Sequence, residues 1–207
     1  MYNIKTELDR CLGLLEQSFD RFPFTVPTMY AGWLAQTYYY VRHSTRLLAA
    51  AAARFEHAPL GDALHQRFAK HMSEEKQHEQ LCLHDLKVLG WSIADLPEHA
   101  TTRMFYEPQY YKIEHQHPVA FLGYILPLEA IAISRCGKVQ AIVAGAFGEK
   151  CTSFLRVHAA DDPDHLEKAL RAAEQVPREL RPLVVQNLEQ TTHGYLGILA
   201  RSSSRWS

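Results

Sequence analysis

The chain lacks any paired-cysteine motif. Its four cysteines, Cys11, Cys82, Cys136 and Cys151, are scattered without Cys-x-x-Cys spacing. That gives no support for a zinc ribbon or a disulfide framework, and it fits a reducing compartment. Charge of one sign is missing too: 22 Lys and Arg against 23 Asp and Glu leave a formal charge of −1. With no basic face evident, a general nucleic-acid binder is not expected. The first ten residues lack the basic-then-apolar plan of a signal peptide. The longest apolar stretches are interrupted by polar residues before a membrane-spanning length. The expectation is therefore a cytoplasmic chain with no membrane partner. No region alternates with period two over a convincing length, and there is no internal repeat or linker.

What is present has helical period. At 207 residues, 47% hydrophobic and 22% charged, one soluble domain over residues 1–207 is expected, able to bury a sizeable core. Residues 3–21 put Ile4, Leu8, Leu12, Leu15 and Phe19 on one stripe, an amphipathic helix. A long helix is expected from Thr28 to Phe55. A third follows Gly61-Asp62 and ends at Val88-Leu89-Gly90, where Gly supplies a left-handed cap. Residues 91–117 read as looser, with Pro97, Pro108 and Pro118 bounding a short helix. Val119–Arg135 should bend at Pro127, and Lys138–Ala160 should follow it. Asp161-Asp162-Pro163 reads as an N-cap with Pro at the first helical position of a helix to Gln175. A last helix spans Arg178–Ala200, and 202–207 reads as a frayed tail. The expected fold class is all-α, with about seven helices.

Twelve histidines are many for this length, and those with spacing partners carry the argument. His158, Asp162 and His165 stand at i, i+4 and i+7, within about 60° of arc on a regular helix. Two imidazoles and a carboxylate on one point suit a redox-active iron. Pro163 disfavours helical dihedrals at Asp162, so either the helix kinks between Ala160 and Pro163, or Asp161 takes the carboxylate role, or the site binds iron poorly. A second cluster offers Glu75 and His78 at i, i+3, the Glu-x-x-His arrangement of helical di-iron carboxylate proteins. His71 and Asp85, one on either side at seven residues from His78, could hold a ligating imidazole in place. Glu129 is a single carboxylate within the apolar run 124–134, which is costly without a cation or hydrogen-bond donors. A metal or a salt bridge to Arg42 or Arg46 would satisfy it. Together Glu75, His78, Glu129, His158, Asp162 and His165 supply three carboxylates and three imidazoles with no thiolate, which favours iron or manganese over zinc.

Order and spacing resemble the heme-oxygenase-like diiron oxidases, which share the seven-helix scaffold of heme oxygenase, the thiaminase-II proteins and pyrroloquinoline-quinone synthase. The matching pieces are Tyr38-Tyr-Tyr-Val-Arg-His43, Glu74-Glu-Lys-Gln-His78 with Leu89-Gly90, Glu129, His158-x3-Asp162-x2-His165 and Thr191-Thr-His-Gly-Tyr195. The resemblance implies a seven-helix heme-oxygenase-like bundle and six metal ligands: Glu75, His78, Glu129, His158, Asp162 and His165. Two irons per chain are implied, or manganese, with Glu75 or Glu129 bridging. O2 and a small organic molecule would be the partners. Tyr38, Tyr39 and Tyr40 are candidates for surrounding the centre, and a homodimer is the commonest expectation. The alternatives on the same scaffold are a cofactorless quinone-synthase-like oxidase, a thiaminase-II-like hydrolase using Cys136, and a non-enzymatic helical binding protein.

Overall fold

The computed structural model describes residues 3–160 and 163–204, without the side chains of 163–165 and 203–204, and every regular element among them is helical. Helix α1 (Ile4–Arg21) starts where the Asn3 side chain accepts a hydrogen bond from the Thr6 amide at 3.0 Å, satisfying one orphan donor of the first turn. It buries Ile4, Leu8, Cys11, Leu15 and Phe19, so Cys11 takes the buried place expected for Leu12.

Pro27 opens α2 (Pro27–Val41), which is buried on nearly every side from Met29 to Thr37. A helix with no polar stripe belongs at the centre of a bundle, and α2 runs through the middle of this one. The expected single helix over 28–55 breaks at Arg42-His43, and α3 (Ser44–Ala53) leaves in a new direction. The expected third helix is likewise two, α4 (Pro59–Glu74) and α5 (His78–Val88), parted by Gln77 in the left-handed region at φ 70°. Residues 91–117 are more ordered than the prolines suggested, since α6 (Ala100–His115) runs straight through Pro108. The start of α6 is tied to α2, because Gln36 Oε1 accepts from the His99 amide at 2.9 Å and from the Thr102 hydroxyl at 2.6 Å.

A 3-10 turn (Pro118–Phe121) leads into α7 (Leu122–Ile131), a π-turn (Ala132–Cys136) and α8 (Gly137–Phe147). By length and composition the run 118–147 could cross a membrane, contrary to the expectation that no stretch would reach that length. Of its most apolar window 67% is buried inside the protein, so core packing accounts for the apolarity. Gly148, at φ 90°, ends this run. Then come α9 (Ser153–Ala159), α10 (Pro163–Glu174) and α11 (Arg181–Ser204). Pro163 does open a helix, so His158 and His165 stand on different helices and no single regular helix presents the run. Instead of fraying at 202, α11 continues to Ser204 with Ser202 fully buried. α11 lies along α7, α1, α6 and α2, while α5 packs on α2 and α9. That packing brings the ends of α4, α5 and α9 together near the C-terminal part of α7.

Candidate metal centre

Each side chain of the cluster is placed by a helix end or a helix irregularity. His71 lies in the last turn of α4, Glu75 just beyond it, and His78 is the first residue of α5. Glu129 is on α7, two residues after Pro127, which has no N–H to continue the helix ladder. His158 is near the end of α9. His71 Nε2 is 3.5 Å from Glu75 Oε1 and 3.4 Å from Glu129 Oε1, and His78 Nδ1 is 3.5 Å from Glu75 Oε2. The rings of His78 and His158 meet edge to face at 4.9 Å. Donor atoms of Glu75, His78 and His158 all lie within 4.8 Å of one another. The side chains of His71, His78, Glu75 and Glu129 are 14–20% exposed, sheltered from bulk water yet reachable.

His158 has a fixed tautomer. Its Nδ1 lies 2.9 Å from the Phe154 carbonyl, which can only accept, so Nδ1 carries a proton and Nε2 is the nitrogen left to ligate. A backbone carbonyl behind a ring nitrogen is the usual support of a metal-binding imidazole. Burial works against charge on His71, but its contact with Glu75 and the charges of Glu129 and Glu75 outweigh it, and the imidazole pKa is raised. Burial likewise pushes the Glu75 carboxyl up, while His71 and His78 beside it and the charges of His71 and His158 hold it far below the ordinary range. At neutral pH, Glu75 is therefore a carboxylate.

The residues present fit a divalent metal. The N···O separations of 3.4–3.5 Å exceed a good hydrogen bond, about 2.9–3.0 Å, so these groups converge without closing on one another. Mixed imidazole and carboxylate donors without thiolate suit iron or manganese.

Of the six ligands expected, the structure brings the donor atoms of Glu75, His78 and His158 together, and Glu129 reaches them through His71. Asp162 and the His165 side chain lie outside the described residues. His71, expected behind a ligand, stands inside the cluster between two carboxylates. Glu129 meets His71 at 3.4 Å, and the two arginines considered for it make other contacts. Arg42 lies over the rings of Tyr38 and Tyr39 at 5.8 and 5.4 Å, and Arg46 donates to the Arg42 carbonyl. Tyr38 and Tyr39 thus belong to that stack and not to the centre, while Tyr40 lines the cavity beside it. Asp85 touches no imidazole of the cluster in the contacts observed. It accepts from the Ser153 and Phe154 amides at 3.0 and 2.9 Å, capping α9.

A cavity of about 350 Å³ adjoins the cluster, walled by Trp33, Tyr40, Phe121, Tyr124, Phe154 and Tyr195. Trp33 and Tyr195 carry no spacing signal relative to the histidines, so the sequence alone does not place them at this wall. The Tyr124 hydroxyl is buried with no hydrogen-bond partner among the described residues, an arrangement that costs stability. Tyr124→Phe is accordingly expected to raise the thermal midpoint by roughly 2–4 °C for about 1 kcal/mol recovered. Differential scanning calorimetry of the two proteins checks this, and a lowered midpoint would refute it.

The sequence profile of the family described as iron-containing redox enzymes matches residues 31–194. No curated protein sequence matches the chain. Among solved structures, a domain of unknown function with a heme oxygenase-like fold from Shewanella denitrificans superposes with a TM-score of 0.84 at 18% identity, over 100% of this chain and 94% of that one. A TenA homologue from Pseudomonas syringae pv. tomato gives 0.80 at 13% identity, over 96% and 91%. A TenA homologue from Pyrococcus furiosus gives 0.65 at 14% identity, over 94% and 98%.

Proposed function

Because this chain belongs to the family of iron-containing redox enzymes and has the heme oxygenase-like fold, we propose that it is a non-heme diiron oxidase or oxygenase that activates O2 for oxidation of a small organic substrate. The observation that carries the reading is the convergence of Glu75, His78 and His158, with Glu129 joined to them through His71. Glu75, His78, Glu129 and His158 would hold the metal, completed by Asp162 and His165 from the following segment. Iron bound there supplies one-electron redox change and Lewis acidity.

The chain's own residues supply the rest. Glu75 stands between His71 and His78, with one carboxylate oxygen toward each imidazole, and would be a ligand of the metal. The Phe154 carbonyl keeps the His158 proton on Nδ1, so Nε2 stays a donor. His71 stands between Glu75 and Glu129 at 3.5 and 3.4 Å and links the two carboxylates. The aromatic wall excludes water, which limits loss of reactive species to solvent.

The test is anaerobic Fe(II) loading followed by metal analysis. Wild-type protein is expected to take up about two irons per chain, as helical di-iron carboxylate sites do. A Glu75→Ala, His78→Ala double variant is expected to hold fewer than half as many. Uptake near zero in wild type, or equal uptake in the variant, removes the diiron reading. Manganese in place of iron would redirect it. A thiaminase-II-like hydrolase is a second reading, favoured by Cys136, which lines the same cavity at the end of the π-turn. That activity would need no metal and would be lost in Cys136→Ser.

A further inference from the structure

From the walls of the cavity we infer that the substrate is an uncharged, ring-bearing apolar molecule, and that neither a free amino acid nor a polyacid is held here. The inference rests on the proposed reading only for which end of the cavity reacts. Charge is the first argument. Among the described residues, the titratable side chains lining the cavity beyond its tyrosines and Cys136 are His71, Glu74, Glu75, His78, Glu129 and His158, with no Lys or Arg. Arg67 is the cation whose charge acts on Glu129 and Glu74, and it is not part of the wall. Beyond the metal cluster, a substrate carboxylate would find no Lys or Arg on the described wall, and a second charged end would face hydrocarbon, where an unpaired ion is costly.

Hydrogen bonding is the second. Two of the wall tyrosines are committed: the Trp33 indole donates to Tyr195 Oη at 3.2 Å, and Tyr195 is bonded in turn to Tyr40. The Tyr124 hydroxyl is buried with no partner among the described residues, which leaves one neutral group for a guest's single polar atom. The far wall therefore offers no charged anchor to an ammonium or carboxylate head group. Shape is the third. Trp33 meets Phe154 edge to face at 6.0 Å, and Phe121 stacks with Tyr124 at 5.3 Å. Such rings present both faces and edges to a guest, which favours an aromatic ligand over a flexible chain. A volume of about 350 Å³ accommodates on the order of a dozen non-hydrogen atoms at ~30 Å³ for each small group.

The test uses three probes with one ring system: 2-naphthol, 2-naphthoate and 3-(2-naphthyl)-L-alanine. Each is titrated by calorimetry into the iron-loaded protein without O2, and again into metal-free protein. 2-Naphthol is expected to bind at least tenfold tighter than either charged probe in both forms. Leu128→Trp, which fills the cavity from a half-buried position, should abolish naphthol binding. Ser44→Arg, which puts a cation in the wall, should narrow the gap to naphthoate several-fold and needs no change in the core. Naphthoate or naphthylalanine binding as tightly as naphthol overturns the inference, as does naphthol binding that both variants leave unchanged. Because binding is read in both forms, a failure here leaves iron uptake standing, and a failure of iron uptake leaves the naphthol preference measurable.

Discussion

Gly123→Ala is expected to cost about 3 kcal/mol of stability and to lower the thermal midpoint by roughly 6–12 °C, at ~2–4 °C per kcal/mol for a chain of this size. A Cβ at this position would stand 2.2 Å from the Val184 carbonyl oxygen, 2.7 Å from the Leu188 nitrogen and 2.9 Å from Asn187 Cβ. Two of these atoms are backbone, so no rotamer change relieves the clash. Nor can α11 swing aside. Asn187 exchanges hydrogen bonds with Gln109 at 2.7 and 3.1 Å and donates to the Ala120 carbonyl at 2.8 Å, tying α11 to α6 and to the turn before α7. Alanine gains roughly 1 kcal/mol of helix propensity over glycine, too little to offset a helix pair forced apart. The consequence reaches the site, because Glu129 lies on the same helix six residues on. The variant should therefore also bind less iron at temperatures where it remains folded. Denaturant unfolding followed by circular dichroism measures the first effect and metal analysis the second. A midpoint within 2 °C of wild type would show that the two helices can separate at this crossing.

Local pattern is reliable in this chain wherever the governing contacts are local. The α1 stripe, the Pro openings of α2 and α10, and the Gly90 cap are all written in neighbouring residues. The break between α4 and α5 is not. Glu75, Lys76 and Gln77 are good helix formers, and nothing among them announces a left-handed residue. Tertiary packing imposes it, and by it Glu75 and His78 come together without the regular helix that their i, i+3 spacing suggested. α6 fails in the opposite sense. Pro108 looked like a boundary, yet Met104, whose carbonyl loses its helical partner there, is 72% exposed, so water can satisfy that oxygen. The site divides the same way. Glu129 was legible as a lone carboxylate in an apolar helix, but its partner was not, because His71 arrives from another helix 58 positions away in sequence. Tyr38 and Tyr39 were chosen for composition, and composition does not say which face of α2 looks toward the centre.

Asp85 shows how a residue outside the cluster can govern it. Asp85→Ala is expected to destabilise the protein by about 3–5 kcal/mol, the largest loss anticipated for a single side chain here. The carboxylate is fully buried and accepts from the Ser153 and Phe154 amides. Thr152, the residue at the N-cap of α9, makes no side-chain cap. Alanine would leave two amides of the first turn without an acceptor, at roughly 1–3 kcal/mol each, and a void besides. Burial pushes the Asp85 carboxyl up, and the Phe154 and Ser153 amides pull it back only in part. Asparagine, which keeps one acceptor and sheds the buried charge, should therefore cost clearly less than alanine. Asp85→Asn is the informative variant for the site. Phe154 is both a residue held by Asp85 and the carbonyl that fixes His158 Nδ1, so loosening the start of α9 loosens the imidazole four residues later. Removal of an outer partner of a metal-binding histidine typically lowers metal affinity by roughly 10- to 100-fold. The measurement is Fe(II) or Co(II) affinity of Asp85→Asn at a temperature where circular dichroism shows the folded protein. Affinity equal to wild type would mean that the cap stabilises α9 without positioning His158, whereas a selective loss with the fold intact identifies Asp85 as the residue that aligns α9 with α5.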